Sequence, residues 1–289
     1  MNAVLIAGPT ASGKSAAALA LAERIGGAVV NADSMQIYAQ ARILTARPPD
    51  VDTARAPHLL YGHVSVHEHY SAGRYAADAA RALDEARVMG RVPIFTGGTG
   101  LYFAALTEGL ADIPAVPATV RAAAALRRAE LGPEAFHAEL AARDPQSAAR
   151  LRAGDSQRTL RAWEVVEATG KPLSWWQGRK GTPVLEGLTL LRRVIMPPRA
   201  ELYARIEARF ERMMGDGATA EAAALADIDP ALPAAKILGR RELLAAAAGE
   251  TTLEDAKTLA KTATRQYAKR QMTWFRQRMK DWNDDLHDV

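Results

Sequence analysis

Four consecutive apolar residues, Val4-Leu5-Ile6-Ala7, stop at Gly8, and a helical rhythm follows over residues 15–24. An apolar run this short, without alternation, reads as a strand buried on both faces. The same alternation recurs as an apolar run at 28–30, a helical pattern at 74–89 and an apolar run at 92–95. Strands separated by helices of that length predict parallel pairing through right-handed crossovers, and so an α/β sheet covered on both faces with the first strand central. From Pro114 the pattern changes to Ala/Arg/Glu-rich helix through Arg150, broken at Gly132-Pro133 and Asp144-Pro145. Residues 156–169 read as a helix stopped by Gly170-Lys171-Pro172, and 175–183 as a loop. One more strand is expected at 188–195, then an amphipathic helix at 201–214 with Leu202, Ile206, Phe210 and Met213 on its core stripe, and mostly helix from 218 to 282. The expected organisation is an α/β core beginning at 1–113, a helical insertion at 114–150, and the rest of the core with basic C-terminal helices at 151–289.

Composition narrows the chemistry. The chain has 289 residues, 48% of them hydrophobic and 24% charged, enough to bury roughly three quarters of its unfolded surface. It contains no cysteine, which excludes disulfide frameworks, thiolate zinc sites, iron–sulfur clusters and cysteine nucleophiles. The first apolar run is too short for a signal sequence or for a bilayer span of ~20 residues, so a cytoplasmic protein is expected. A net charge of +4 is too small to argue for nucleic acid by itself.

Residues 8–15, Gly8-Pro9-Thr10-Ala11-Ser12-Gly13-Lys14-Ser15, fit G-x-x-x-x-G-K-[ST] directly between a strand and a helix. Backbone N–H groups turned inward, a helix start, the Lys14 ammonium and a Ser15 hydroxyl able to ligate Mg²⁺ make a cradle for a di- or triphosphate. Such a P-loop does not name a reaction. The second strand ends in Asn31-Ala32-Asp33-Ser34-Met35-Gln36-Ile37-Tyr38, where Asp33 is a candidate general base or Mg²⁺ partner, or with Ser34 only a cap for a following helix. The strand at 92–95 ends in Thr96-Gly97-Gly98-Thr99-Gly100, which brings Thr99 toward the same crevice. Three polar strand ends are thus expected on one sheet edge.

At this point the chain resembles a known family. GPTASGKS, NADSMQIY and GGTGLY, followed by DSQRTLRAWEV at 155–165, TGKPLS at 169–174 and TRQYAKRQMTWFR at 264–276, are similar in order and content to the tRNA dimethylallyltransferases, also called tRNA isopentenyltransferases. The resemblance implies a P-loop NTPase-like parallel sheet flanked by helices, with a helical insertion domain and a C-terminal helical region. It implies transfer of a dimethylallyl group from dimethylallyl diphosphate to N6 of adenosine 37 in tRNAs that read codons beginning with U, with Mg²⁺ as cofactor. Asp33, Thr99 and Lys14 would be catalytic, and the P-loop would hold the leaving diphosphate. Asp33, Ser34, Met35, Gln36 and Thr99 would line the slot for a flipped-out adenine. Arg121, Gln157, Arg158, Thr159, Leu160, Arg161, Lys236, Gly239, Arg240 and Arg241 map onto tRNA-contacting positions. Three departures stand out: Leu44-Thr45-Ala46-Arg47-Pro48 where the family has Gly-Thr-Ala-Lys-Pro, Arg152-Ala153-Gly154-Asp155-Ser156 where it has a His-Pro-Asn-Asp-like run, and Arg240 where it has an aromatic residue. The missing cysteines also exclude the zinc finger of eukaryotic relatives and point to the bacterial form. A small-molecule kinase, or prenyl transfer to free adenine nucleotides, would share the fold but would not need a helical insertion or a basic tail. Every motif lies on one chain, so a monomer is expected.

Resolved along the chain, the charge becomes local. Residues 257–282 hold eight lysines and arginines against one aspartate, a net +7, which leaves −3 for the remainder of a +4 chain. Lys261, Arg265, Lys269, Arg276 and Lys280 share an arc of roughly 100° beside a stripe of Met272, Phe275, Met279 and Trp282. With the other motifs, this face is expected to meet phosphates. His63, His67 and His69 lack metal-ligand spacing and are expected to face solvent. Trp175-Trp176 is either a base-stacking platform or loop packing, and Arg205 and Arg209 are candidates to reach the diphosphate.

Overall fold

The computed structural model describes residues 1–179 and 181–286. Two compact units emerge, one formed by Met1–Thr107 with Val184–Val289 and the other by Glu108–Pro183. The helical unit is therefore wider than the 114–150 insertion expected above, because the helices at 156–177 pack with those that precede them.

In the first unit the chain runs β1 (Ala3–Ala7), α1 (Lys14–Ile25), β2 (Gly27–Asn31), α2 (Asp50–Thr53), β3 (His58–Leu59), α3 (Ala72–Val88), β4 (Val92–Gly97) and α4 (Gly100–Thr107). The second unit holds α5 (Ala118–Arg143), α6 (Pro145–Ala148), α7 (Ser156–Thr169) and α8 (Leu173–Gln177). The chain then returns to the first unit with β5 (Leu190–Val194), α9 (Arg199–Gly215), α10 (Ala218–Ala224), α11 (Arg240–Ala247) and α12 (Leu253–Arg278). Among the described residues no helix is long and apolar enough to cross a membrane.

The sheet is parallel throughout, in the order β3-β2-β4-β1-β5. β1 and β2 are buried along their whole length, as their unbroken apolar runs require. β1 is interior, with partners on both sides, but the middle strand is β4. The crossover through α1 skips one position, which β4 fills, so the second strand lies beside β4 and not beside the first. Ala7 pairs with Gly97 and Asn31 with Thr96. The three polar strand ends therefore sit side by side at the carboxyl edge, where open α/β sheets bind ligands.

One core lies between α1 and the sheet, built from Val4, Ile6, Leu19, Leu21, Val29 and Ile94. A second joins α9 to α12 through Leu202, Ile206, Ala268 and Met272, which places the expected α9 stripe inside. The expected α12 stripe is buried as well, from Met272 to Trp282. The second unit has its own core of Ala124, Phe136, Leu140, Ala148, Ala162 and Trp163. α5 kinks at Gly132-Pro133, since proline has no N–H to give and its ring clashes with the preceding turn. Asp144 breaks the next segment by accepting from Ser147 N at 3.0 Å, and its carboxylate also takes the Ser174 hydroxyl at 2.9 Å. α7 starts where Asp155 accepts from Arg158 N and ends at Gly170. Residues 175–177, expected to begin a loop, instead end the short helix α8. In it the Trp176 indole donates to Thr169 Oγ1 at 3.2 Å, and the Arg179 guanidinium covers the Trp175 ring at 3.7 Å. One face of Trp175 is thereby occupied, which favours packing over a base-stacking role.

Candidate active site

The loop between β1 and α1 is held by three helices. Gly8 N donates to Gly97 O at 3.2 Å and Ser12 N to Pro9 O at 3.1 Å, with Ala11 at a positive φ of 64°. Lys14 opens α1, and its buried ammonium donates to Pro9 O at 3.2 Å. Burial pushes that ammonium down to about 8, against the pull of the Asp33 carboxylate, and Arg209 lowers it further. From α9, Arg209 donates to Thr10 Oγ1 at 2.7 Å and Arg205 to Ser12 O at 3.1 Å. Desolvation brings the Arg209 guanidinium down to about 10, with Asp33 opposing the shift. Buried Lys14 and half-buried Arg209 beside the start of α1 form a site that gains from binding an oxyanion.

From α12 comes Gln271, which the motif reading did not single out as a site residue. Its amide oxygen accepts from Thr10 N at 2.9 Å and its amide nitrogen donates to Gly98 O at 2.8 Å. One buried side chain thus ties the phosphate loop to the turn after β4. A signal was present in the sequence, because Gln271 falls on the apolar side of α12, where a polar side chain needs partners. The glycines of that turn are explained by the same helix. A Cβ on Gly98 would lie 2.2 Å from Gln271 Nε2, and one on Gly100 would lie 2.4 Å from the Trp274 ring.

At the end of β2, the Asn31 side chain accepts from Asp33 N at 2.8 Å and donates to Asp33 O and Leu60 O, both at 3.0 Å. Asp33 Oδ1 accepts from Met35 N at 3.0 Å, an Asx turn and not a helix cap. Thr99 Oγ1 accepts from Ser34 N at 2.9 Å and donates to Ser34 Oγ at 3.2 Å. Tyr267 shares a further hydrogen bond with the Thr99 hydroxyl, and burial pushes the phenol up. Gln36 turns its amide to Thr45 O and Ala46 O at 3.0 and 2.7 Å.

These elements border a cleft that opens to solvent. Its apolar half is lined by Met35, Leu44, Ile206, Phe210, Met213 and Leu238, while Thr10, Asp33, Arg209 and Tyr267 supply its polar groups. Asp33, Thr10 and Arg209 also border the cavity over the phosphate loop, with Lys14, Ser15 and Gln36. A charged cradle therefore opens onto an apolar chamber, and one carboxylate faces both. Among the described residues no three His, Asp or Glu side chains gather to hold a metal. The donors that fit Mg²⁺ are the exposed Ser15 hydroxyl and Asp33 beside the cradle. That suits an ion which takes few protein ligands and keeps phosphate and water for the rest.

Several expected tRNA contacts change. Arg240 is buried and donates to Leu225 O at 2.7 Å and Ala226 O at 3.1 Å. It closes the end of α10 and is not available to RNA. Gly239 precedes it as the cap of α11, and Arg241 is exposed beside Glu242 at 3.1 Å. Lys236 ends a short 3-10 turn. On α12, Lys257 and Lys261 bind Glu211, and Arg265 binds Glu207 at 2.8 Å, so the first half of the basic arc faces α9. Lys269, Arg270, Arg276, Arg278 and Lys280 are exposed. His63, near Asp78 at 3.4 Å, His67 and His69 are exposed.

Within the second unit, Arg121 donates to Val116 O at 2.6 Å, and Gln157 and Arg158 are exposed on the first turn of α7. Thr159 is buried with its hydroxyl on Asp155 O at 2.8 Å, and Leu160 packs on the unit's core. Those two residues hold the helix in place and do not present a polar group outward. Arg161 is half-buried, 3.9 Å from Glu164. Burial lowers the guanidinium and raises the carboxyl.

Residues 36–278 match a family described as IPP transferase, and residues 1–61 one described as isopentenyl transferase. A tRNA dimethylallyltransferase of Bradyrhizobium sp. is 52% identical over 283 residues, covering 97% of this chain and 92% of that protein. One from Rhodospirillum centenum is 55% identical over 277 residues, covering 94% and 88%. Among solved structures, the full-length tRNA isopentenylpyrophosphate transferase of Bacillus halodurans superposes with a TM-score of 0.65 at 32% identity, over 96% of this chain and 87% of that one. A eukaryotic dimethylallyltransferase acting on tRNA gives 0.78 at 27% identity, over 94% and 69%.

Proposed function

The chain belongs to the tRNA dimethylallyltransferase family, and from that premise we propose that it joins the dimethylallyl group of dimethylallyl diphosphate to N6 of adenosine 37 in tRNAs reading codons that begin with U. The observation that carries the site assignment is the joining of the cationic phosphate cradle to an apolar chamber across Asp33. The apolar wall of Met35, Leu44, Phe210 and Met213 beside the cradle suits a five-carbon chain.

In this reading the diphosphate lies against the N–H groups at the start of α1, with Lys14 and Arg209 on its oxygens, and the dimethylallyl tail extends toward Leu44, Phe210 and Met213. The exocyclic amine of adenine is a poor nucleophile because its lone pair is delocalised into the ring. Asp33 takes the N6 proton as the N6–C1 bond forms. The C1–O bond breaks and its electrons leave with the diphosphate, whose growing charge meets donors already in place. Thr99, held by Ser34 and Tyr267, orients the acceptor side. Bound Mg²⁺, held by Ser15, would neutralise part of the leaving-group charge. The exposed cations of α12, together with Gln157, Arg158, Arg121 and Arg161 of the second unit, are the proposed tRNA contacts. The substrate places the enzyme in the cytoplasm, and since one chain carries all the groups it would act as a monomer.

The test incubates the protein with Mg²⁺, dimethylallyl diphosphate and unmodified tRNA and looks by mass spectrometry for N6-dimethylallyladenosine. Asp33→Ala should lower turnover by about 10²-fold or more with tRNA affinity little changed. Full turnover in that variant would remove Asp33 from the mechanism.

A further inference from the structure

Glu221, on α10, does something unusual for a surface carboxylate. It takes three consecutive backbone amides: Oε1 accepts from Arg42 N at 2.7 Å and Ile43 N at 2.8 Å, and Oε2 accepts from Leu44 N at 2.7 Å. These amides open an isolated turn that closes on itself through Ala46 N to Ile43 O at 2.9 Å and Arg47 N to Arg42 O at 3.0 Å. Without a helix ahead of them, three N–H groups at the start of a turn have no backbone acceptor. A carboxylate from 177 to 179 residues further along the chain supplies it.

The turn matters because of what it carries. Leu44 forms part of the apolar wall, and Thr45 borders both the chamber and the cradle. The carbonyls of Thr45 and Ala46 hold the Gln36 amide. Leu44 Cδ2 reaches to 3.4 Å of the position a Cβ would take on Gly239, beside Phe210. A second anchor, Arg47, donates to Tyr38 O at 3.0 Å and Ala39 O at 3.2 Å, so the turn is fixed at both ends.

We infer that Glu221 is a positioning residue, which clamps the 42–46 turn so that Leu44 closes the chamber around the dimethylallyl chain. The inference rests on the prenyl-transfer reading above. It acts on the prenyl donor and not on the RNA, and it predicts a selective kinetic effect. In Glu221→Gln the side chain keeps its shape but retains one acceptor oxygen, so at least one amide is released. Amide exchange in a peptide spanning 41–46 should accelerate at least tenfold. KM for dimethylallyl diphosphate should rise about tenfold, with kcat and KM for tRNA within threefold of wild type, and geranyl diphosphate should become a better competitor. Leu44→Ala removes the wall without the clamp, and should raise the same KM with exchange at 42–43 unchanged. Unchanged exchange in Glu221→Gln overturns the clamp. Faster exchange with an unaltered KM for the prenyl donor overturns its role in positioning. If Glu221→Gln does not fold, an unaltered KM in Leu44→Ala overturns the inference by itself. A wild-type protein that makes no prenylated tRNA would refute the functional reading, and exchange would still decide whether the clamp exists.

Discussion

Replacing Gln271 by methionine tests whether the site is assembled by α12 or only covered by it. The substitution keeps an unbranched side chain of similar length and removes both polar contacts, to Thr10 N and to Gly98 O. The bond to Gly98 is buried and the bond to Thr10 half-buried. A fully buried orphaned carbonyl costs about 1–3 kcal/mol, and a partner that water can reach costs closer to the ~1 kcal/mol of an average hydrogen bond. The more apolar methionine recovers about 1 kcal/mol of burial, which leaves a net loss of about 2 kcal/mol. For a domain of this size that lowers Tm by about 4–8 °C, readable by calorimetry. Loss of the tie also frees the phosphate loop, so KM for dimethylallyl diphosphate should rise together with the drop in Tm. Gln271→Glu separates the two halves, because it keeps an acceptor for Thr10 but sets an acceptor against the Gly98 carbonyl. It should destabilise despite its shape. A Gln271→Met protein with wild-type Tm and wild-type KM would refute the idea that this side chain joins the loop to the turn after β4.

Other expectations are independent of that one. Arg240→Met leaves the Leu225 and Ala226 carbonyls without their donor and should cost about 3 kcal/mol in urea unfolding, while tRNA affinity of the folded protein stays within twofold; a large affinity loss would restore Arg240 as an RNA contact. Lys269→Gln with Arg276→Gln should reduce the slope of log affinity for tRNA against log salt by about 1.4–1.8. Lys261→Gln with Arg265→Gln should leave it nearly unchanged, since those cations are held by Glu211 and Glu207, and the opposite ranking would refute the division of the arc. The Lys14 ammonium loses its proton near pH 8 in the folded protein, against an ordinary 10.5. Between those values the unfolded chain binds more protons than the native one, so the stability of the ligand-free protein should rise from about pH 8 to 10.5. The rise should vanish in Lys14→Met, and inorganic diphosphate should bind more weakly over the same interval.

Much of the site could be read locally. The phosphate loop, the Asp33 turn and the Thr99 turn are short segments whose residue types state their own geometry, and strand and helix periods place them at strand ends. α7 and the stripes of α9 and α12 were legible for the same reason, since a helical face is a repeat within one segment. What the helices do with their other faces was not legible. Gln271 and Tyr267 reach the site from α12, at the far end of the chain, and only packing brings them to it. Ser174 of the short helix α8 is received by Asp144, some 30 residues earlier, a contact that no local pattern states.

The sequence by itself determined the phosphate-binding loop, the three polar strand ends, the family and the location of the positive charge, because each is written in contiguous residues and in composition. Tertiary structure decided the strand order that puts β4 between β1 and β2, and the width of the helical unit. It also decided the fate of individual charges: Arg240 on helix-end carbonyls, Lys261 and Arg265 on α9, Glu221 on three amides of a distant turn. The physical reason is that a charged side chain takes whichever partner the fold brings within reach, and its neighbours along the chain do not specify that partner.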